Sequence, residues 1–270
     1  MAKERFPGPG PFFKATLQTH ATAELCEILR RGHVLQCGLI PWGSNYTFLA
    51  LMEVAQEAPM LGVYKPRRGE APLWDFPDGT LYKRERAAFL LSEALGWQLV
   101  PPTVIRDGPN GIGSMQLFIH HRQEDADYFS LREQHQREVR RMALFDLIAN
   151  NTDRKAAHCL RGEDGHIWGI DHGLTFHAHP KLRTVIWDFG GEPIPKELLR
   201  DLRRLCKALE TQQGLEPALA DLLFPEEMEA LMGRIQYVLA HPEFPGMQTR
   251  RRGVPWLRLE PPRRAVPDRS

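Results

Sequence analysis

The sequence predicts an α+β fold, with a strand-rich first part followed by a mainly helical remainder. Three observations carry this. Residues 33–64 hold three apolar or alternating runs, VLQCGLI, YTFLALMEV and MLGVYK, separated by turn residues, which is the pattern of an antiparallel meander. Two further strand-like runs, Thr103 to Arg106 and Ser114 to Ile119, flank the Asp107-Gly-Pro-Asn-Gly turn. Beyond them the apolar spacing turns helical, at Leu131 to Ala149, at 194–212 and again after Pro225.

Composition sets the outer limits. A chain of 270 residues with 42% apolar side chains can bury a sizeable core, in one large domain or two lobes. With 35 basic against 34 acidic residues the formal net charge is +1, so no overall field attracts nucleic acid. Cys26, Cys37, Cys159 and Cys206 form no CxxC pair and read as reduced thiols of a cytoplasmic protein. Lys3, Glu4 and Arg5 run into proline and glycine with no apolar leader, and no stretch has the apolar length of a membrane span.

Taken in order, residues 1–18 alternate Pro7, Pro9 and Pro11 with glycine and read as a flexible arm. Thr22 has the chemistry of an N-cap for a short helix with Leu25, Ile28 and Leu29, closed by Gly32. The turn from Gly38 to Asn45 has the G-x-x-x-x-G interval without a following Lys-Ser/Thr. It is either an ordinary hairpin or, through its backbone N–H groups and Ser44 and Asn45, a cover for phosphates. Lys65 ends the third run, as a snorkelling surface lysine or as a phosphate contact. After the polar loop 67–79 comes a helix from Leu81 to Leu95, closed by Gly96, with Glu85 near its start. Glu85 is either solvated or the partner that braces Lys65. The run containing Gln116, Leu117, Phe118 and Ile119 is a buried strand or the segment against which a purine lies.

The chemistry concentrates between Leu144 and Gly173, where Asp153 stands five residues before His158 and Asp171 opens an Asp-His-Gly turn. A kinase catalytic loop spaces its Asp and metal-binding Asn by the same interval, then places an Asp-x-Gly on the metal. Phosphoryl transfer needs these types together: one carboxylate for the attacking hydroxyl, and a second with a neutral ligand for the cation.

Gly113-Ser-Met-Gln-Leu-Phe-Ile119 followed by Ala126-Asp-Tyr128 resembles the hinge of the phosphatidylinositol 3/4-kinase family, type II 4-kinases in particular. Asn151-Thr152-Asp153-Arg154 and Ile170-Asp171-His172-Gly173-Leu174 resemble its catalytic and metal-binding loops, and Lys65, Glu85 and Val100-Pro101-x-Thr103 resemble its small lobe. The resemblance spans roughly residues 33 to 200 and is to bacterial members. It implies a bilobal protein-kinase-like fold, with a small antiparallel-sheet lobe at 19–119 and a larger, mainly helical lobe at 120–246. It further implies an ATP-dependent phosphotransferase in which Lys65 contacts phosphates, Glu85 braces it, Asp153 is the catalytic carboxylate, and Asp171 and His158 hold Mg²⁺ or Mn²⁺.

Two departures shape the expectation. His158 stands where the family has Asn, and imidazole prefers later ions to Mg²⁺, so Mn²⁺ is expected to serve better; otherwise His158 simply starts a strand. Residues 66–84 lack the cysteine cluster that type II lipid kinases carry there, so a protein or small molecule is expected as acceptor rather than a lipid. The altered loop also allows a catalytically silent nucleotide-binding module, or transfer of AMP in place of phosphate. His172, His177 and His179 have no carboxylate or cysteine partner at a regular interval and read as solvated or core histidines. The tail at 247–270 is basic and proline-rich, with seven arginines against Glu260 and Asp268 from Thr249 on.

Overall fold

A computed structural model describes residues 17, 20–41, 45–55, 57–122, 127–211 and 214–246. The arm (apart from Leu17), Ser44, Ala126 and the basic tail lie outside the described residues.

The meander forms as the sequence predicts. Strands β1 (Val34–Ile40), β2 (Thr47–Met52), β3 (Met60–Pro66), β4 (Thr103–Gly108) and β5 (Gly111–Leu117) make one antiparallel sheet in the order β1-β2-β3-β5-β4. Lys65 sits opposite Ser114 and Pro66 opposite Gly113. A Cβ at Gly113 would lie 2.4 Å from the Lys65 carbonyl oxygen, so only glycine lets β5 run this close beside the lysine. The final run stops at Leu117; Phe118 and Ile119 continue as the connection out of the sheet.

Helix α1 (Thr22–Arg31) buries Leu25, Cys26 and Leu29, but Ala21 holds the N-cap position and Thr22 is already inside the helix. Helix α2 (Leu81–Leu95) is capped from a distance. The Glu70 carboxylate accepts the Leu81 and Tyr82 N–H groups at 3.1 and 2.8 Å, placing negative charge on the positive helix end. Gly96, at φ 70°, ends it with backbone bonds to Glu93 and Ser92.

The helix expected over Leu131 to Ala149 is two helices, α3 (Tyr128–Leu131) and α4 (Gln136–Ile148). Residues 132–138, REQHQRE, offer no apolar face to bury, so nothing holds the helical run together across that gap. A small hairpin follows, β6 (Cys159–Arg161) and β7 (Ile167–Gly169). Helices α5 (Lys196–Glu210), α6 (Leu215–Ala220) and α7 (Pro225–Ala240) complete the helical part. Leu198, Leu202, Leu205 and Leu209 of α5 pack inward with Leu231, Ile235 and Val238 of α7; Met228 is only partly buried.

One buried ion pair fastens α2 to the helical part. Arg84 donates to the Glu227 carboxylate of α7 and, at 2.7 Å, to the Thr175 carbonyl, with its side chain 1% exposed. Removing one partner strands the other charge in the core. Arg84→Ala is expected to lower stability by about 3–5 kcal/mol in urea unfolding, and Arg84→Met with Glu227→Leu to recover much of that loss. A cost under about 1 kcal/mol for Arg84→Ala would show that this pair does not secure the helix.

Candidate active site

Three elements bring Lys65, Glu85 and Asp171 together. The Lys65 ammonium, at the end of β3, donates to Glu85 Oε1 on α2 and, at 2.7 Å, to Asp171 Oδ1 after β7. The second Glu85 oxygen accepts the His172 backbone N–H at 3.0 Å, so one carboxylate binds both the lysine and the loop carrying Asp171. Burial works against the lysine charge, but Asp171 and Glu85 outweigh it and hold the ammonium above its ordinary range. Lys65 is also the main reason that the Asp171 carboxyl lies well below the usual carboxylate range; burial opposes it and His158 adds to it.

The hairpin β6–β7 delivers His158 to the same place. His158 ends a 3₁₀ turn just before β6, Asp171 follows β7, and the Ile170 N–H donates to the His158 carbonyl at 3.0 Å. His158 Nε2 thereby lies 3.3 Å from Asp171 Oδ2. Burial lowers the imidazole pKa, Asp171 opposes that shift, and the ring is neutral, as a metal ligand must be. Its Nδ1 accepts the Lys155 N–H across a long 3.4 Å contact, which puts the ring proton on Nε2, facing Asp171. Binding a cation through Nε2 would shift that proton to Nδ1, at the cost of this weak contact and of the one from Nε2 to Asp171. Asp171 itself has φ 60°, a left-handed conformation that Asp adopts more readily than most residues.

Asp153 is set by the loop before it. Its N–H donates to Asn151 Oδ1 at 3.0 Å, and Asn151 Nδ2 donates to Asp146 Oδ1 of α4 at 2.9 Å. Arg154, with no exposed side-chain surface, grips Asp146 through Nε and Nη2 at 2.8–3.1 Å. The same guanidinium donates to the carbonyls of His158 and Ile170 and to His172 Nε2 at 2.7 Å. Asn151, Arg154 and His172 stand in the runs the sequence singled out, but their pairing with one another and with Asp146 does not show in it, since spacing carries no sign of polar pairs buried between elements. His172 and His177 are buried, while His179 is exposed.

Lys65, Glu85, Asp153, His158 and Asp171 line one cavity of about 540 Å³, walled also by Asn45, Val63, Gln116, Leu117, Phe118, Ile119, Lys155 and Leu160. Asn45 does not point to the cavity alone, since its Oδ1 accepts the Ala71 N–H at 2.7 Å. Gln116 Nε2 donates to Thr103 Oγ1, and the Leu117 and Phe118 N–H groups donate to the Pro102 and Leu61 carbonyls. A second cavity, about 620 Å³, opens beyond Glu70 beside Arg67, Arg68 and Phe76, and holds none of the predicted site residues. Among the described residues no three His, Cys, Asp or Glu side chains cluster as a metal site, and no helix is long and apolar enough to cross a membrane.

The family model for phosphatidylinositol 3- and 4-kinase matches residues 82–224, more than half of the chain. The chain belongs to that family. The match takes in Glu85, Gln116 to Ile119, Asp153, His158 and Asp171, and leaves Lys65 to stand on its geometry. Protein Rv2133c of Mycobacterium tuberculosis is 39% identical over 263 residues, covering 85% of this chain and 93% of its own. Among solved structures, hydra Fam20 with sugar aligns at a TM-score of 0.50 and 15% identity, over 81% of this chain and 87% of that one. The Golgi casein kinase with Mn/ADP bound aligns at 0.48 and 16%, over 82% and 75%. The fold of this family member is thus kinase-like, with the five-stranded antiparallel sheet and α2 on one side of the cavity and the loops around the β6–β7 hairpin on the other.

His172 gives this site a measurable signature. Burial, reinforced by Arg154, holds its pKa well below the ordinary 6.5. Below that pH the unfolded chain takes up a proton that the folded imidazole refuses, so acid favours unfolding. Stability is expected to fall by about 1.4 kcal/mol per pH unit from this group as pH drops below about 6.5. Replacing His172 with Gln should flatten that limb in urea titrations at several pH values; an unchanged slope would mean the imidazole titrates normally.

Proposed function

We propose that this protein is an ATP-dependent phosphotransferase that moves phosphate to a hydroxyl of a protein or small-molecule acceptor. The observation that carries this reading is Lys65 held between Glu85 and Asp171 in a cavity that Asp153 and His158 also line. Its volume lies within the usual range for small-molecule sites.

In this reading the purine lies against Gln116 to Ile119. With the Leu117 and Phe118 N–H groups already donated and the Ile119 carbonyl against His121 Nδ1, the base contacts fall to the Phe118 carbonyl and the Ile119 N–H. Lys65 orients the phosphates, and Glu85 keeps it from drifting. Asp171 and His158 would hold the divalent cation; two protein donors suit Mg²⁺ or Mn²⁺, which complete their shells with phosphate and water. The cation supplies charge neutralisation at the phosphate oxygens. Asp153 orients or deprotonates the acceptor hydroxyl. Catalysis is then positioning and electrostatics, as a loose phosphoryl transition state requires.

With ATP and Mn²⁺ or Mg²⁺ the protein is expected to form ADP, or to label an acceptor, with phosphate the group transferred. Asp153→Ala and Asp171→Ala should each lower turnover by about 10²-fold or more with the protein still folded, and Asp153→Ala should leave the melting temperature nearly unchanged. Full turnover in either variant refutes the assignment, and AMP left on an acceptor with pyrophosphate released would show that the other bond breaks. Mn²⁺ should support faster turnover than Mg²⁺, with His158→Asn reversing the preference. An unchanged metal preference in that variant would remove His158 from the metal.

A further inference from the structure

The loop between β3 and α2 is pinned at both ends. The Tyr46 N–H donates to the Gly69 carbonyl at 2.8 Å, and the Ala71 N–H donates to Asn45 Oδ1. Further along, Lys181 Nζ lies 2.6 Å from Asp75 Oδ2, and His177 Nε2 donates to the Asp75 carbonyl at 2.8 Å. This held loop walls the second cavity, of about 620 Å³. A small organic molecule fits such a volume.

Two arginines of the loop, Arg67 and Arg68, line that cavity from the 3₁₀ turn after β3, and both are exposed. Each runs beside a glycine in the left-handed region. Gly79 has φ 70°, and a Cβ there would lie 2.4 Å from Arg67 Nε; Gly111 has φ 91°, and its Cβ position lies 3.9 Å from Arg68 Nε. The buried arginines spend their charge within the fold, Arg84 on Glu227 and Arg154 on Asp146. The guanidinium groups of Arg67 and Arg68 form no hydrogen bond or ion pair among the described residues. Glu70 is already committed to α2. Burial raises its pKa, and the Tyr82 and Leu81 N–H groups, then the Arg67 charge, oppose that. The other two acids of the lining, Asp78 and Asp107, are exposed and form no ion pair with the arginines. Phe76 and Ile112 add apolar surface between these charges.

We propose that this cavity is a second ligand site, for a small molecule carrying both an oxyanion (phosphate or carboxylate) and an amine. The oxyanion takes the forked donors of Arg67 and Arg68, whose planar geometry matches either group. The amine faces Asp78 and Asp107. Glu70 and Leu81 wall both cavities, yet the second contains none of Lys65, Glu85, Asp153, His158 or Asp171. Its occupant therefore binds beside the nucleotide cavity in a space of its own, and the proposal stands apart from the phosphotransferase reading.

Calorimetric titration of O-phosphoserine and of aspartate into the full chain tests it, since each probe carries an oxyanion and an amine. Wild type is expected to bind at least one of them, and the tighter probe tells phosphate from carboxylate. Arg67→Gln with Arg68→Gln should weaken that binding about tenfold or more, with the melting temperature nearly unchanged because both side chains are exposed. Ile112→Glu, which adds an anion at an exposed position of the same lining, should weaken it too. Wild-type affinity in the double variant overturns the proposal, since the probe then sits on another cation such as Lys65. Absence of binding by both probes overturns it as well. Neither result touches the phosphotransferase reading, which turnover of ATP tests by itself.

Discussion

The ammonium of Lys65 decides how this molecule is put together. It is a cation on an interior strand, and a half-buried charge persists only where opposite charge meets it. Glu85 and Asp171 meet it from two different elements, one on α2 and one after β7. Satisfying one side chain therefore fixes the sheet, the helix and the turn relative to one another. Glu85 then accepts the His172 N–H, which closes the arrangement. The two partners are not equivalent. Glu85 is buried and acts as a permanent brace, whereas the Asp171 carboxylate is 47% exposed and opens onto the cavity, where it can face an incoming charge.

A second buried cation holds the other wall. Arg154 ties Asp146 of α4 to the carbonyls on either side of the β6–β7 hairpin and to His172, so Asp153, His158 and Asp171 are anchored to one guanidinium. Arg84 does the same between α2 and α7. The cavity walls are thus held by ion pairs away from solvent, while the pair of Lys155 with Asp153 is partly exposed. This division suits a reaction that depends on held geometry and needs few groups to move.

Much of this was legible in the sequence, for definable reasons. Alternation marks strands, and it placed Lys65 at the end of β3; helical spacing marked α2, α5 and α7. The interval from Asp153 to His158 and the turn at Asp171 are local, so spacing alone reveals them. The break between α3 and α4 was missed because a helix was extended across seven polar residues on the strength of the apolar ones beyond them. The pairs Arg154–Asp146 and Arg84–Glu227 were invisible, since a buried charge has no period and its partner stands 8 or 143 residues away. Glu70 as the cap of α2 escaped for the same reason: capping rules look at neighbouring residues, and this cap comes from eleven positions upstream.

The central claim is that Lys65, Asp171 and Asp153 surround one nucleotide. A crystal structure with a non-hydrolysable ATP analogue and Mn²⁺, using anomalous scattering to place the metal, tests it most directly. The account predicts the phosphates at Lys65 Nζ and the anomalous peak about 2.1 Å from an Asp171 carboxylate oxygen. A nucleotide bound outside this cavity, or a metal with no Asp171 oxygen in its coordination shell, would contradict it.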